Sequence, residues 1–303
     1  MPDELRSSAS PPPEDPAEGR AVRGERLSAL PAAARYLLAQ SPPPARDAVR
    51  AARVVAWVVP AGLLIGILWA GAFRGAWRLY GEIDGLRMVP GLAVVLLEAL
   101  LTGRFLWLAV ARAADGPLGP SMGDDERLTR NPSLRACGAM AIVLCAMVQW
   151  VLVVSIPHVT PWWPPPDDWR SAFNFLYPRP IYRPLILAPL WGRWAILMAA
   201  ATGRTAPGVD AMTASLCRSM GPRRVLLHAL LPVVLTCIYF SRERNFLIGG
   251  VISLFAFASS YLAAQVLARR NGGQDRVTLF AAGQIGQIAF LAIYRALWPR
   301  IYL

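Results

Sequence analysis

The chain has 303 residues, 55% of them hydrophobic and 17% charged, with a formal net charge of +12 and a mean hydropathy of +0.39. That is too apolar for an ordinary soluble domain. All 31 basic residues are arginines, and they flank apolar segments instead of covering one soluble face. This pattern sets nucleic-acid binding aside and matches the loops of a membrane protein.

In chain order, residues 1–33 come first, rich in Pro, Ser, Glu and Arg and without apolar periodicity. They are expected to be a disordered tail. No apolar core follows the start within the reach of a secretory signal. Residues 34–53, broken by Ser41-Pro42-Pro43-Pro44, read as an interfacial segment, and 54–303 as a transmembrane helical domain. Long apolar runs follow at 54–73, 88–114, 136–156, 184–202, 225–240, 246–268 and 278–298. A helix needs about 20 residues to cross the hydrocarbon core. The expectation is therefore an all-α, polytopic bundle of about seven spans, with 225–240 short enough to depend on its flanks. Arginine is somewhat denser in loops 115–135, 203–224 and 269–277 than in the others. This puts those loops, and the N-terminus, on the cytoplasmic side of an inner (plasma) membrane. The connection 157–183, with its Trp162, Trp163 and Trp169, reads as a Pro-stiffened outer loop. No inverted repeat that would suggest a transporter is evident. Gly62 and Gly66 form a GxxxG step, and Gly283 and Gly286 thin another run. Both are expected at close helix contacts.

Charge inside apolar runs is costly unless paired or used. Glu98, Arg104, Arg112 and Asp115 all fall in or at the end of the second run. Arg112 and Asp115 are i,i+3 and can meet on one helix face; a packed ion pair and a site role stand equally at this point. Arg193 lies near the middle of the fourth run and must face a partner, a cavity or an anion. An inward-facing Arg in contact with phosphate is the favoured reading. Asp124, Asp125 and Glu126 read as a solvated loop. Cys137, Cys145, Cys217 and Cys237 have no CxxC spacing and are expected to be buried thiols. His158 and His228 lack a ligand pattern and read as structural.

Four segments, in order, resemble adenosylcobinamide-GDP ribazoletransferase, the cobalamin synthase family. Residues 102–116, TGRFLWLAVARAADG, lie over the family's TGALHLDGLADTADG without a gap. Residues 128–144, LTRNPSLRACGAMAIVL, resemble MRDSRIGAYGALALVL. LAPLWGRWAILMAA, which holds Arg193, resembles LLAPVLGRWAMVLAA. Residues 272–287, GGQDRVTLFAAGQIGQ, resemble GGVTGDTLGAAIELSE. The resemblance implies a multi-pass membrane transferase of cobalamin biosynthesis. It would move α-ribazole, or its 5′-phosphate, onto adenosylcobinamide-GDP with release of GMP. Its Mg²⁺ would be held by helix-face carboxylates against the diphosphate.

The chain departs from that pattern in one direction. The family's His is Leu106, its first Asp Leu108, its Gly Ala109 and its second Asp Arg112. The next segment has Asn131 in place of Asp, the last loop has Asp275-Arg276-Val277 in place of TGD, and the closing Glu is Gln287. Only Asp115-Gly116 survives of the acidic motif. Carried over residue by residue, the resemblance leaves Asp115 and Asp275 as catalytic candidates, with Asp115 the single candidate metal ligand. Arg112, Arg193, Arg276, Gly272 and Gly273 would contact substrate phosphate. Mg²⁺, the family cofactor, is doubtful with this residue set. The expectation is a family member with weakened or lost catalysis that sits in the lipid bilayer and takes a corrinoid nucleotide ligand. The alternative is a non-catalytic binding protein or partner subunit on the same scaffold. Oligomeric state is not assigned.

Overall fold

A computed structural model of the chain describes residues 36–38, 51–81, 83, 86–115, 135–156, 181–241 and 246–302. The expected tail 1–33, the acidic triplet 124–126, Asn131, His158 and the tryptophan-rich stretch 161–169 lie outside the described residues. So does most of the interfacial segment.

The apolar runs become nine helices among the described residues. They are α1 (Ala51–Tyr80), α2 (Val89–Leu101), α3 (Phe105–Asp115), α4 (Ala136–Val154), α5 (Tyr182–Ala201), α6 (Ala211–Ser219), α7 (Pro222–Ser241), α8 (Phe246–Arg270) and α9 (Arg276–Tyr302). Six are long and apolar enough to cross a membrane, and a seventh span results if α2 and α3 are counted as one. The run 225–240, short on its own, extends to 20 residues because α7 begins at Pro222, a residue favoured in a first helical turn.

The second apolar run is the main correction. Residues 88–114 were expected to be one helix, but α2 and α3 are bent by 87° at a break. Gly103 and Arg104 both have positive φ, +56° and +67°, and two such residues cannot continue a right-handed helix. The amide N–H groups of Thr102, Gly103 and Arg104 donate back to Glu98, Leu100 and Ala99, closing α2 in a tight reversal. Arg104 holds the left-handed conformation at a cost of about 1–2 kcal/mol that a glycine would avoid.

The helix with no polar face is the one at the centre. In α5, residues 182–200 are all buried, as expected for a helix apolar on every side. It packs against α1, α7, α8 and α9. Glycines set those distances. A Cβ on Gly62 would lie 2.7 Å from the Pro189 oxygen, and one on Gly66 would strike the Ile186 backbone. Gly192 and Gly283 face each other across α5 and α9, and Gly286 sits on Ala195 and Ser260. These are the close contacts expected of small residues between spans. By contrast α4 and α8 leave most of their surface bare, including Met140, Leu144, Leu254, Leu262 and Val266, a lipid-facing surface.

Cross-helix bonds fix which ends lie together. The Trp150 indole on α4 donates to the Met88 carbonyl at the head of α2. At the opposite end Asp115 meets Gly138, and the Arg270 guanidinium donates to the Ala114 carbonyl. The ends of α3 and α8 and the starts of α4 and α9 therefore share one end of the bundle, called proximal here. This agrees with the expectation that 115–135 and 269–277 face the same side.

Candidate functional site

Two polar regions interrupt the apolar interior. The first lies midway along the spans. Glu98 on α2 is completely buried and is the hub. Its Oε1 accepts from Gln287 Nε2 at 2.7 Å and its Oε2 from Gln149 Nε2 at 2.8 Å. Arg193 Nη1 donates to Gln287 Oε1 at 3.0 Å and lies 3.8 Å from Glu98 Oε1. Gln284 Nε2 completes the set by donating to Gln149 Oε1 at 2.7 Å. Four helices, α2, α4, α5 and α9, thus converge on one carboxylate, one guanidinium and three amides. A buried carboxylate survives in an apolar interior only when its oxygens are bonded and its charge is matched. Both conditions are met here from within the protein.

The second region is the proximal end. Arg276, at the start of α9 and 1% exposed, lies in a box of rings. Its guanidinium carbon is 4.3 Å from the Phe105 ring centroid, 5.5 Å from that of Tyr36 and 5.7 Å from that of Phe280. It also donates to the Tyr36 carbonyl at 3.3 Å. Such stacking stabilises a desolvated guanidinium. Tyr36 is itself fully buried, its hydroxyl 3.2 Å from Thr213 Oγ1, and burial pushes its phenol above the ordinary tyrosine range. Beside it, burial pushes the Cys217 thiol up to about 11, so it stays protonated and a poor nucleophile at neutral pH. All four cysteines are free. Cys237 is buried as expected, but Cys137 is exposed, because it sits on the bare face of α4.

The two catalytic candidates both cap helices. Asp115 accepts the backbone N–H of Gly138 at 2.6 Å and that of Arg135 at 3.0 Å, and so caps α4 from another helix. Asp275 accepts the Thr278 N–H at 2.7 Å, while its own N–H donates to Thr278 Oγ1 at 2.8 Å, a reciprocal cap on α9. Gly272 and Gly273 have φ of +72° and +143°. A Cβ on Gly273 would press on the backbone of Arg204 and Ala206, whereas nothing lies near Gly272. The tight turn they form lets Gln274 reach Thr202 and Ala264. Arg112 lies in the last turn of α3, one turn before Asp115.

The structure thus brings Arg193 inward, as expected, but against Glu98 and Gln287. It places Arg276 and Asp275 together at the head of α9, and Asp115 at the α3–α4 junction. The sequence alone assigns no role to Glu98, Gln149, Gln284 or Tyr36. Polar residues isolated in apolar runs were the signal available for the first three.

A family model for cobalamin-5-phosphate synthase matches residues 27–294, nearly the whole chain. The chain belongs to the cobalamin-5-phosphate synthase family. Neither curated proteins nor solved structures give a match. Membership makes this a multi-pass membrane protein of cobalamin biosynthesis on a transferase scaffold.

Within this synthase scaffold the described residues offer no ready set of ligands for a divalent cation. Among the described residues no group of three or more His, Cys, Asp and Glu side chains is placed to hold a metal. Mg²⁺ demands near-octahedral oxygen ligation. The Gln287 amide offers one oxygen, already bonded to a guanidinium, and the Asp115 and Asp275 carboxylates accept backbone N–H groups at helix starts.

Proposed function

We propose that this synthase-family chain binds a corrinoid nucleotide and carries the family's ribazole transfer in weakened or lost form. The observation behind this reading is Gln287. It stands where the family resemblance puts a carboxylate, and its amide is locked to Glu98 and Arg193.

In the transfer, a ribazole hydroxyl oxygen bonds to the phosphorus that carries the cobinamide, the bridging P–O bond breaks and GMP leaves. The hydroxyl proton must pass to a base, and charge growing on the phosphoryl oxygens must be offset by fixed cations. Arg112, Arg193 and Arg276 are the cations proposed for that task, with Gly272 and Gly273 shaping the approach. All the bonds given to Arg193 run through Nη1, so its other edge is the one to face an oxyanion. Asp115 and Asp275 are the proposed bases, each of which also accepts backbone N–H bonding at a helix start. Losing one charge-stabilising group costs on the order of 10²-fold in rate.

The membrane is proposed to be the inner membrane with the proximal end cytoplasmic. Arg135, Arg204, Arg218, Arg223, Arg224, Arg269 and Arg270 lie in or beside the turns of that end, the distribution that sets orientation.

The test uses the full chain in nanodiscs with adenosylcobinamide-GDP and α-ribazole. Binding is expected, with GMP release at least about 10²-fold slower than for a family member carrying the full acidic motif and insensitive to chelator. Binding with no release at all would favour the non-catalytic alternative. Rapid, Mg²⁺-dependent release abolished by Asp115→Ala would overturn the proposal.

A further inference from the structure

Arg276 begins α9, at the end of the bundle where helices give way to turns, yet it is 1% exposed. Part of its cover comes from the other end of the sequence. Tyr36, 240 positions earlier, accepts from the guanidinium at its backbone carbonyl and lays its ring over it. The same ring lies against Phe280 at 5.6 Å between centroids, and its hydroxyl is 3.2 Å from Thr213 Oγ1 in the first turn of α6. Tyr36 and Leu37 are both buried. The helical turn 36–38 is thus a strap pinned at two points, to α9 by its ring and carbonyl and to α6 by its hydroxyl. Of the three rings around Arg276, Phe105 and Phe280 belong to the helices α3 and α9, whereas Tyr36 precedes α1. The strap is therefore the side of the box that can lift without moving a span. Its carbonyl and ring are neutral partners for the guanidinium, and a phosphate oxygen would make a stronger, charge-assisted bond. Strap and oxyanion compete for one cation.

We propose that the Tyr36 strap is an autoinhibitory gate, which when seated occupies Arg276 and which a phosphate-bearing ligand must displace in order to bind. The proposal rests on the reading of Arg276 as a cation for substrate phosphate, and adds what controls access to it. The apparent affinity is then the intrinsic affinity reduced by the fraction of molecules in which the strap is lifted. Breaking the Thr213 pin raises that fraction and tightens binding. A residue that touched the ligand, or one that only held the fold together, would weaken binding when removed, so the sign of the effect identifies a gate.

The experiment uses the full chain in nanodiscs. Calorimetry gives the Kd of sodium pyrophosphate and of adenosylcobinamide-GDP for the unaltered chain, Tyr36→Ala and Thr213→Val. In a second measurement Leu37→Cys reports the strap directly, through the rate at which a polar maleimide labels the peptide that carries it. Tyr36→Ala is expected to bind pyrophosphate about tenfold more tightly, and Thr213→Val, which removes one hydrogen bond, about fivefold. Labelling of Leu37→Cys is expected to quicken about tenfold or more at saturating ligand. If pyrophosphate behaves in this way while adenosylcobinamide-GDP binds none of the three proteins, the gate stands and the corrinoid reading falls. If adenosylcobinamide-GDP binds all three equally and leaves labelling unchanged, the corrinoid reading stands and the gate is overturned. Weaker binding by Tyr36→Ala and Thr213→Val also overturns the gate, as does the absence of binding by either ligand to Tyr36→Ala. Should Tyr36→Ala fail to fold, Thr213→Val carries the same test.

Discussion

Glu98 is the residue on which the interior turns. Its two oxygens receive amides from α4 and α9, and its charge faces Arg193. Removing it alone strands a buried guanidinium, so Glu98→Ala is expected to destabilise the protein by about 3–5 kcal/mol. Replacing both partners with apolar residues, as in Glu98→Leu with Arg193→Met, should cost clearly less than the sum of the single changes. Melting of the four proteins in one detergent measures the coupling, and strict additivity would show that the pair is not one unit. Glu98 and Arg193 were each conspicuous in the sequence. Their pairing was not, because they are 95 positions apart by numbering and on different helices. The amides Gln149, Gln284 and Gln287 that bind them carry no charge to draw attention.

At the scale of elements, the apolar runs predicted spans well, and small residues predicted where spans touch. Gly66 is the sharpest case, since a Cβ there meets the Ile186 backbone, which cannot swing aside as a side chain would. Gly66→Ala is expected to cost about 1–3 kcal/mol by overpacking α1 on α5, whereas Gly71→Ala, with open space around it, should be neutral or slightly stabilising. Equal melting of the two variants would contradict this packing. The bend between α2 and α3 was hidden for a physical reason. Hydropathy reports burial, not backbone direction, and an Arg in the left-handed region has no sequence signature. That reversal carries α3 from the first turn of α9, through Phe105 and Phe280 at 5.0 Å between ring centroids, to the cap on α4. The surviving Asp115-Gly116 pair thus has a structural occupation, as a cap, that no motif comparison would reveal.

For the whole molecule, membership of the synthase family and the helical bundle agree, while the described residues hold no group of three or more His, Cys, Asp and Glu side chains placed for a metal. An internal ion pair and a ring of amides stand at its centre, and the carboxylates left in the motif segments are tied to helix ends. The most direct test of that account is an electron paramagnetic resonance titration of Mn²⁺ into the full chain in nanodiscs, with and without adenosylcobinamide-GDP. The account predicts no tightly bound Mn²⁺ that depends on Asp115, Asp275 or Glu98. One Mn²⁺ held per chain and released by Asp115→Ala, Asp275→Ala or Glu98→Gln would contradict it.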